Sequence, residues 1–151
     1  MRIEPGDPGA DWARALIAEL DAYLEGLYPA SSNHLVPVDL LRRPDVVFLV
    51  ARLGSDVVGC GALVDRGGEY AEIKRMYVRP SGRGAGVGRA ILEALVARAQ
   101  ARGLRQLRLE TGNAQPEALA LYERAGFRPR GPFGEYREDP LSVFMERDLG
   151  P

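Results

Sequence analysis

The stretch RPSGRGAGVGRA, residues 79–90, places glycine at 82, 84, 86 and 88 directly before a helical pattern. A helix N-terminus leaves several backbone N–H groups without partners, and the aligned peptide dipoles add partial positive charge there. Side chains would keep a bulky anion away from those groups. Glycine at 84, 86 and 88 removes the obstruction and admits positive φ. Arg83 and Arg89 flank the loop and can add charge-assisted contacts. The stretch reads as a cradle for a phosphate or pyrophosphate between a strand and a helix. The plain alternative is a glycine-rich turn in front of a core helix.

The flanking sequence gives the cradle an α/β setting. Residues 12–27 carry Trp12, Leu16, Leu20, Tyr23 and Leu27 as an amphipathic stripe, with Asp11 in position to cap a helix. A loop, YPASSNHLVP, and a helical turn, VDLLRR, follow. VVFLVAR (46–52) and VVGCGALVD (57–65) read as an antiparallel hairpin, and YAEIKRMYVRP (70–80) as a third strand closed by Pro80. The helix after the glycines spans about 85–102, with Val87, Ile91, Leu95 and Ala99 on one face. LRQLRLET (104–111) is a strand, 116–125 a helix opened by Pro116, and FRPRG and LSVFMERDL (141–149) are two closing strands. The result is an α/β chain with a mixed, mainly antiparallel sheet.

One strand breaks phase. Met76 and Val78 share a face by period two, but Ile73 lies three residues before Met76. A β-bulge near Lys74 and Arg75 restores the phase. A strand buried on both faces needs no alternation and is the other reading.

Among phosphate cradles, the P-loop fails because Arg89-Ala90 follows Gly88 where Lys and a hydroxyl are required. The dinucleotide pattern G-x-G-x-x-G fails from Gly82, where Val87 takes the sixth place, and from Gly84, where Arg89 does. The pattern [Q/R]-x-x-G-x-[G/A] is met by Arg83-Gly84-Ala85-Gly86-Val87-Gly88. With its surroundings, AEIKRMYVRPSGRGAGVGRAIL resembles the acyl-CoA pyrophosphate motif of the GNAT superfamily of N-acetyltransferases. PEALALYERAGF is similar to that superfamily's next helix, with its A-x-x-L-Y-x-x-x-G-F signature. The resemblance covers about residues 46–148, and GEYREDPLSVFM resembles the ending of small bacterial members.

The resemblance implies a GNAT-like twisted sheet of six to seven strands with about four helices and splayed central strands. It implies acetyl-CoA as cosubstrate, pantetheine against the backbone of Met76, Tyr77 and Val78, and pyrophosphate on the amides of Gly84, Ala85, Gly86, Val87, Gly88 and Arg89, with Arg83 beside them. Tyr122 matches the tyrosine placed beside the thioester sulfur and is the expected general acid; packing on the sheet is its plain reading. Gln115 stands where the family commonly has Asn, which weakens a pantetheine contact there. Glu72, eleven residues before Arg83, is the leading base and acceptor-facing carboxylate; otherwise it is a surface Glu paired with Lys74 or Arg75. Glu110 is the second choice. His34, in a polar loop, is a substrate contact or an ordinary loop histidine. The 133–139 loop could close over the acceptor, and Glu72, Glu110 and the acidic stretch 135–139 would suit a cationic amine if they converge.

Composition narrows the partners. Formal net charge is −1, so no global field attracts nucleic acid or an anionic membrane, and the arginines of RAQARGLRQLRLE read as a solvated face. One cysteine, Cys60, and one histidine make a protein-only zinc site unsuitable, so no metal is expected. Cys60 reads as a small buried residue rather than a nucleophile. No run approaches a membrane span and the first residues lack a signal-peptide core, so the cytoplasm is expected. One domain over 1–151 is expected, transferring acetyl from acetyl-CoA to a small-molecule or peptide amine in a ternary complex. The rivals are a non-catalytic acyl-CoA sensor and an enzyme using a non-amine acceptor or a longer acyl chain. A homodimer through sheet edges, as in many relatives, is a further expectation.

Overall fold

The computed structural model describes residues 1–32 and 37–150. In chain order the elements are β1 (Arg2–Pro5), α1 (Asp11–Leu27), α2 (Val38–Leu41), β2 (Val46–Leu53), β3 (Asp56–Asp65), β4 (Tyr70–Val78), α3 (Val87–Ala101), β5 (Gln106–Gly112), α4 (Pro116–Arg124), β6 (Arg128–Arg130) and β7 (Ser142–Asp148), with short 3-10 turns at Ala30–Ser32 and Pro80–Gly82. The strands form one seven-stranded sheet in the order β1-β2-β3-β4-β5-β7-β6. β4 and β5 run parallel and every other pair is antiparallel. The expected mixed, mainly antiparallel sheet with four helices is what the chain builds.

Alternation along the hairpin explains the layers. Val47 and Leu49 of β2 with Leu63 of β3 point to α3, where they meet Ile91, Leu92 and Leu95. Phe48 and Val50 with Cys60 and Ala62 point the other way, onto Ala13, Leu16 and Ile17 of α1 and Leu41 of α2. The sheet is thus buried on both faces at its centre.

β4 carries the bulge. Ala62 pairs with Lys74 and Cys60 with Tyr77, so three steps on β4 face two on β3. Arg75 takes φ 58, the only non-glycine residue in the left-handed region among those described. The extra residue lets Ile73 sit in the α3-side core while Met76 and Val78 pack against that same core. It also ends the β4–β5 ladder: the register runs from Tyr70↔Gln106 to Ile73↔Leu109 and stops. Beyond it β4 and β5 splay apart.

Three expectations need correction. Strand β1 was not anticipated; it is four residues long and pairs with the edge of β2, too short for a periodic signal. Asp11 is the first residue of α1 rather than its cap, which is Ala10 with no side-chain cap bond. The buried stripe of α1 is Ala13, Leu16, Ile17 and Leu20, while Tyr23 and Leu27 are exposed at 37% and 38%, Tyr23 at the edge of a cleft.

The bulge needs Gly61 opposite it. A Cβ there would lie 2.6 Å from Met76 Sδ and 2.8 Å from Ile91 Cγ2. Gly61→Ala is expected to cost about 1–3 kcal/mol by overpacking. In thermal unfolding that is a midpoint lower by roughly 3–10 °C.

Candidate active site

The glycine loop ends in the first turn of α3. Gly84 and Gly86 take φ +82 and +77, and a Cβ on either would project into open space. Gly86 caps α3, and the first helical bond it accepts comes from Ala90. The amides from Gly84 to Arg89 donate to no backbone carbonyl among the described residues. Arg83 is fixed by its Nε–H donating to the Val78 carbonyl at 3.3 Å, and Arg89 pairs with Glu93 at 2.9 Å.

From this loop a cleft of about 820 Å³ runs between α3 and α4 into the splay of β4. Met76, Tyr77, Val78, Arg83, Gly84, Gly86, Val87, Gly88, Arg89, Gln115 and Tyr122 line it; Ala85, expected with them, does not. Leu92 and Val96 of α3 and Ala118 and Leu121 of α4 are among its other wall residues and were not singled out in the sequence. Their spacing on two facing helices was the available signal. A second cavity, about 100 Å³, lies on the other side of the splay beneath α1, lined by Leu24, Tyr28, Ser32, Lys74, Arg75, Glu110 and Thr111 among others. Leu20, Met76, Gln115, Ala118 and Tyr122 line both spaces, so the two meet there.

Tyr122 is 5% exposed and rests edge-on against Phe127, ring centres 5.8 Å apart. Burial, and after it the charge of Glu110, push its phenol well above the ordinary value, so it keeps its proton. Gln115 serves the β5–α4 turn: its Oε1 accepts from the Gly112 amide and the Tyr28 hydroxyl, each at 3.3 Å. The Tyr28 hydroxyl in turn accepts from the Ala114 amide at 3.0 Å.

Glu72 stands elsewhere than expected. It lines neither cavity and is 2% exposed. Arg66 donates to it through Nε at 3.2 Å and Nη2 at 3.0 Å, the Tyr136 hydroxyl donates to its other oxygen, and Lys74 Nζ is 3.6 Å away. Lying before the bulge, it points under the 133–139 loop, which covers that face. Phe133 and Tyr136 anchor this loop on Phe144, the first edge-on and the second tilted, and Ser32 Oγ donates to Asp139 Oδ2 at 2.6 Å. Of the expected acidic convergence, Glu110 reaches the cavity, accepting from Ser142 Oγ at 2.8 Å, whereas Glu135 and Glu138 are exposed. His34 lies outside the described residues. Cys60 is buried, its thiol donating to the Arg75 carbonyl at 3.2 Å, and burial pushes it up to about 12, which suits an inert residue.

The profile of the Acetyltransferase (GNAT) family matches residues 12–127. An IAA acetyltransferase of Azospirillum brasilense is 52% identical over 150 residues, 99% of this chain and 98% of its own. The chain belongs to the GNAT family of acetyl-CoA-dependent N-acetyltransferases. The crystal structure of a Klebsiella pneumoniae protein assigned to the acyl-CoA N-acyltransferases superposes on this GNAT fold with TM-score 0.83 at 41% identity, covering 98% of this chain and 97% of that one. An aminoglycoside 6′-N-acetyltransferase solved with coenzyme A shares the fold at TM-score 0.75 and 16% identity, with 100% of this chain and 98% of that one covered.

The open loop gives a test of the GNAT cradle. Gly86→Val puts a β-branched residue at φ +77 and its methyls into the cleft. The strain costs about 1–3 kcal/mol, so the variant folds with a lower midpoint. Acetyl-CoA is expected to raise the wild-type midpoint and to leave that of Gly86→Val unchanged.

Proposed function

We propose that this enzyme transfers the acetyl group of acetyl-CoA to a primary amine by direct attack within a ternary complex. The observation that carries the reading is the meeting of a long cleft and a small charged cavity at Tyr122. One space suits the cosubstrate arm, the other the acceptor, and both open onto the same hydroxyl.

When bound, acetyl-CoA supplies an acyl group activated as a thioester. The amides of Gly84 to Arg89 and the Arg83 guanidinium hold its pyrophosphate. The backbone of Met76, Tyr77 and Val78, released from β5 by the splay, is available to pantetheine. Glu110 faces the acceptor and takes the proton of the incoming ammonium, directly or through water. Tyr122 gives its proton to the departing sulfur. Glu72, enclosed by Arg66, Tyr136 and Lys74, positions the acceptor wall instead of acting as base. The reading makes residues 1–151 one acyltransferase domain working in the cytoplasm; no described helix is long and apolar enough to cross a membrane. The name of the Azospirillum relative puts IAA in the first panel of acceptors.

Thermal unfolding with acetyl-CoA, against NAD and ATP, is the direct test. A ligand at a hundred times its dissociation constant stabilises by about 2.7 kcal/mol, roughly 5–10 °C here. A rise with acetyl-CoA alone is expected; its absence removes the reading. Tyr122→Phe is expected to keep that rise and lose kcat by about 10- to 100-fold. An unchanged kcat would take the general-acid role from Tyr122.

A further inference from the structure

Lys74 and Arg75 are consecutive on β4, and consecutive residues of a regular strand point to opposite faces. Here both line the small cavity beside Tyr122, because Arg75 adopts φ 58. The bulge therefore does more than open the splay. It turns a second cation toward the acceptor space.

Both cations are deeply set, their side chains 9% and 5% exposed. Two neighbouring buried cations are costly unless oxyanions face them. Glu72 stands 3.6 Å from the Lys74 ammonium and Asp21 binds the Arg75 guanidinium. Lys74 also donates to the Tyr136 hydroxyl at 2.7 Å, and an ammonium with three donors or a guanidinium with five can hold more than one partner at once. Across the cavity stands the carboxylate of Glu110, on the other splayed strand. The space is thus polarised, with cations on β4 and an anion on β5. Burial lowers the pKa of Lys74, and an arriving anion would favour its charged form.

We propose that the acceptor carries a carboxylate close to its amine, with Lys74 and Arg75 seating the carboxylate while Glu110 and Tyr122 face the amine. The inference rests on the transfer reading above and names its substrate class. A cavity of about 100 Å³ admits only a compact head, so the two groups stand a few bonds apart and the rest of the acceptor lies outside. A planar carboxylate also matches the guanidinium fork.

The test is thiol release from acetyl-CoA with a panel of α- and β-amino acids, each beside its own primary carboxamide. Wild type, Lys74→Met, Arg75→Met and Lys74→Arg are compared. At least one amino acid is expected to exceed its carboxamide by about tenfold or more in kcat/KM. Lys74→Met and Arg75→Met narrow that ratio toward one while the midpoint rise with acetyl-CoA persists, and Lys74→Arg restores much of it. A wild-type ratio near one, or a ratio that the Met variants leave unchanged, overturns the seat and leaves N-acetyl transfer standing. Release from neither set, with acetyl-CoA still raising the midpoint, overturns the carboxylate seat as well. Loss of the acetyl-CoA rise in wild type counts instead against the transfer reading.

Discussion

One extra residue in β4 is the constraint from which the rest follows. It breaks the register between Ala62↔Lys74 and Cys60↔Tyr77 and holds Arg75 at a φ that costs an ordinary residue about 1–2 kcal/mol. The surroundings hold it there. Asp21 of α1 binds the Arg75 side chain, the Cys60 thiol donates to its carbonyl, and Gly61 leaves room for Met76. Past this point β4 exchanges its hydrogen bonds with β5 for a free edge inside the protein. Buried backbone donors and acceptors without partners are costly, so such an edge suits an extended ligand that can pair with it.

How much of this could be read from the residues depends on how local each cause is. The glycine loop is local: helix-terminus electrostatics and the absent Cβ atoms act within a few residues, and all but Ala85 of that stretch's expected contacts line the cleft. The bulge was legible because a phase error between Ile73 and Met76 survives in one dimension. Which carboxylate lines the small cavity was not legible. Glu72 and Glu110 both alternate correctly on neighbouring strands. What separates them is a loop more than sixty residues downstream, whose Tyr136 folds over Glu72 and leaves Glu110 at the rim of the splay. Likewise α1 showed a stripe through Tyr23 and Leu27, but a helix periodicity cannot say which part of the stripe is left facing a cleft.

The enclosed Glu72 has a structural logic of its own. A carboxylate at 2% exposure is tolerable because Arg66, Tyr136 and Lys74 surround it. The same contacts make the Lys74 ammonium one end of a Lys74–Tyr136–Glu72 chain, its Nζ donating to the Tyr136 hydroxyl at 2.7 Å. The loop that carries Tyr136 is pinned by Phe133 and Phe144 and tied through Asp139 to Ser32, so the position of the cation is set by a wall of aromatic packing. Removing the Glu72 charge would leave two cations buried with less compensation, so a loss of activity on its replacement would not by itself identify a base.

Tyr122 joins the two halves of the site, and its environment fits one role better than the other. A phenol whose pKa is raised by burial and by a nearby carboxylate stays protonated, so it is a hydrogen-bond donor, although a weaker acid than a free phenol. In the proposed reaction a thiolate leaving beside this buried hydroxyl would gain from such a donor. In the proposed reaction Glu110 would contribute to both sides: its charge raises the pKa of the Tyr122 phenol and, across the small cavity, would attract the acceptor ammonium. As a proton arrives at Glu110, that restraint on Tyr122 weakens. In the proposed reaction, proton removal from the acceptor by Glu110 would therefore make the phenol a stronger acid as the sulfur comes to need it.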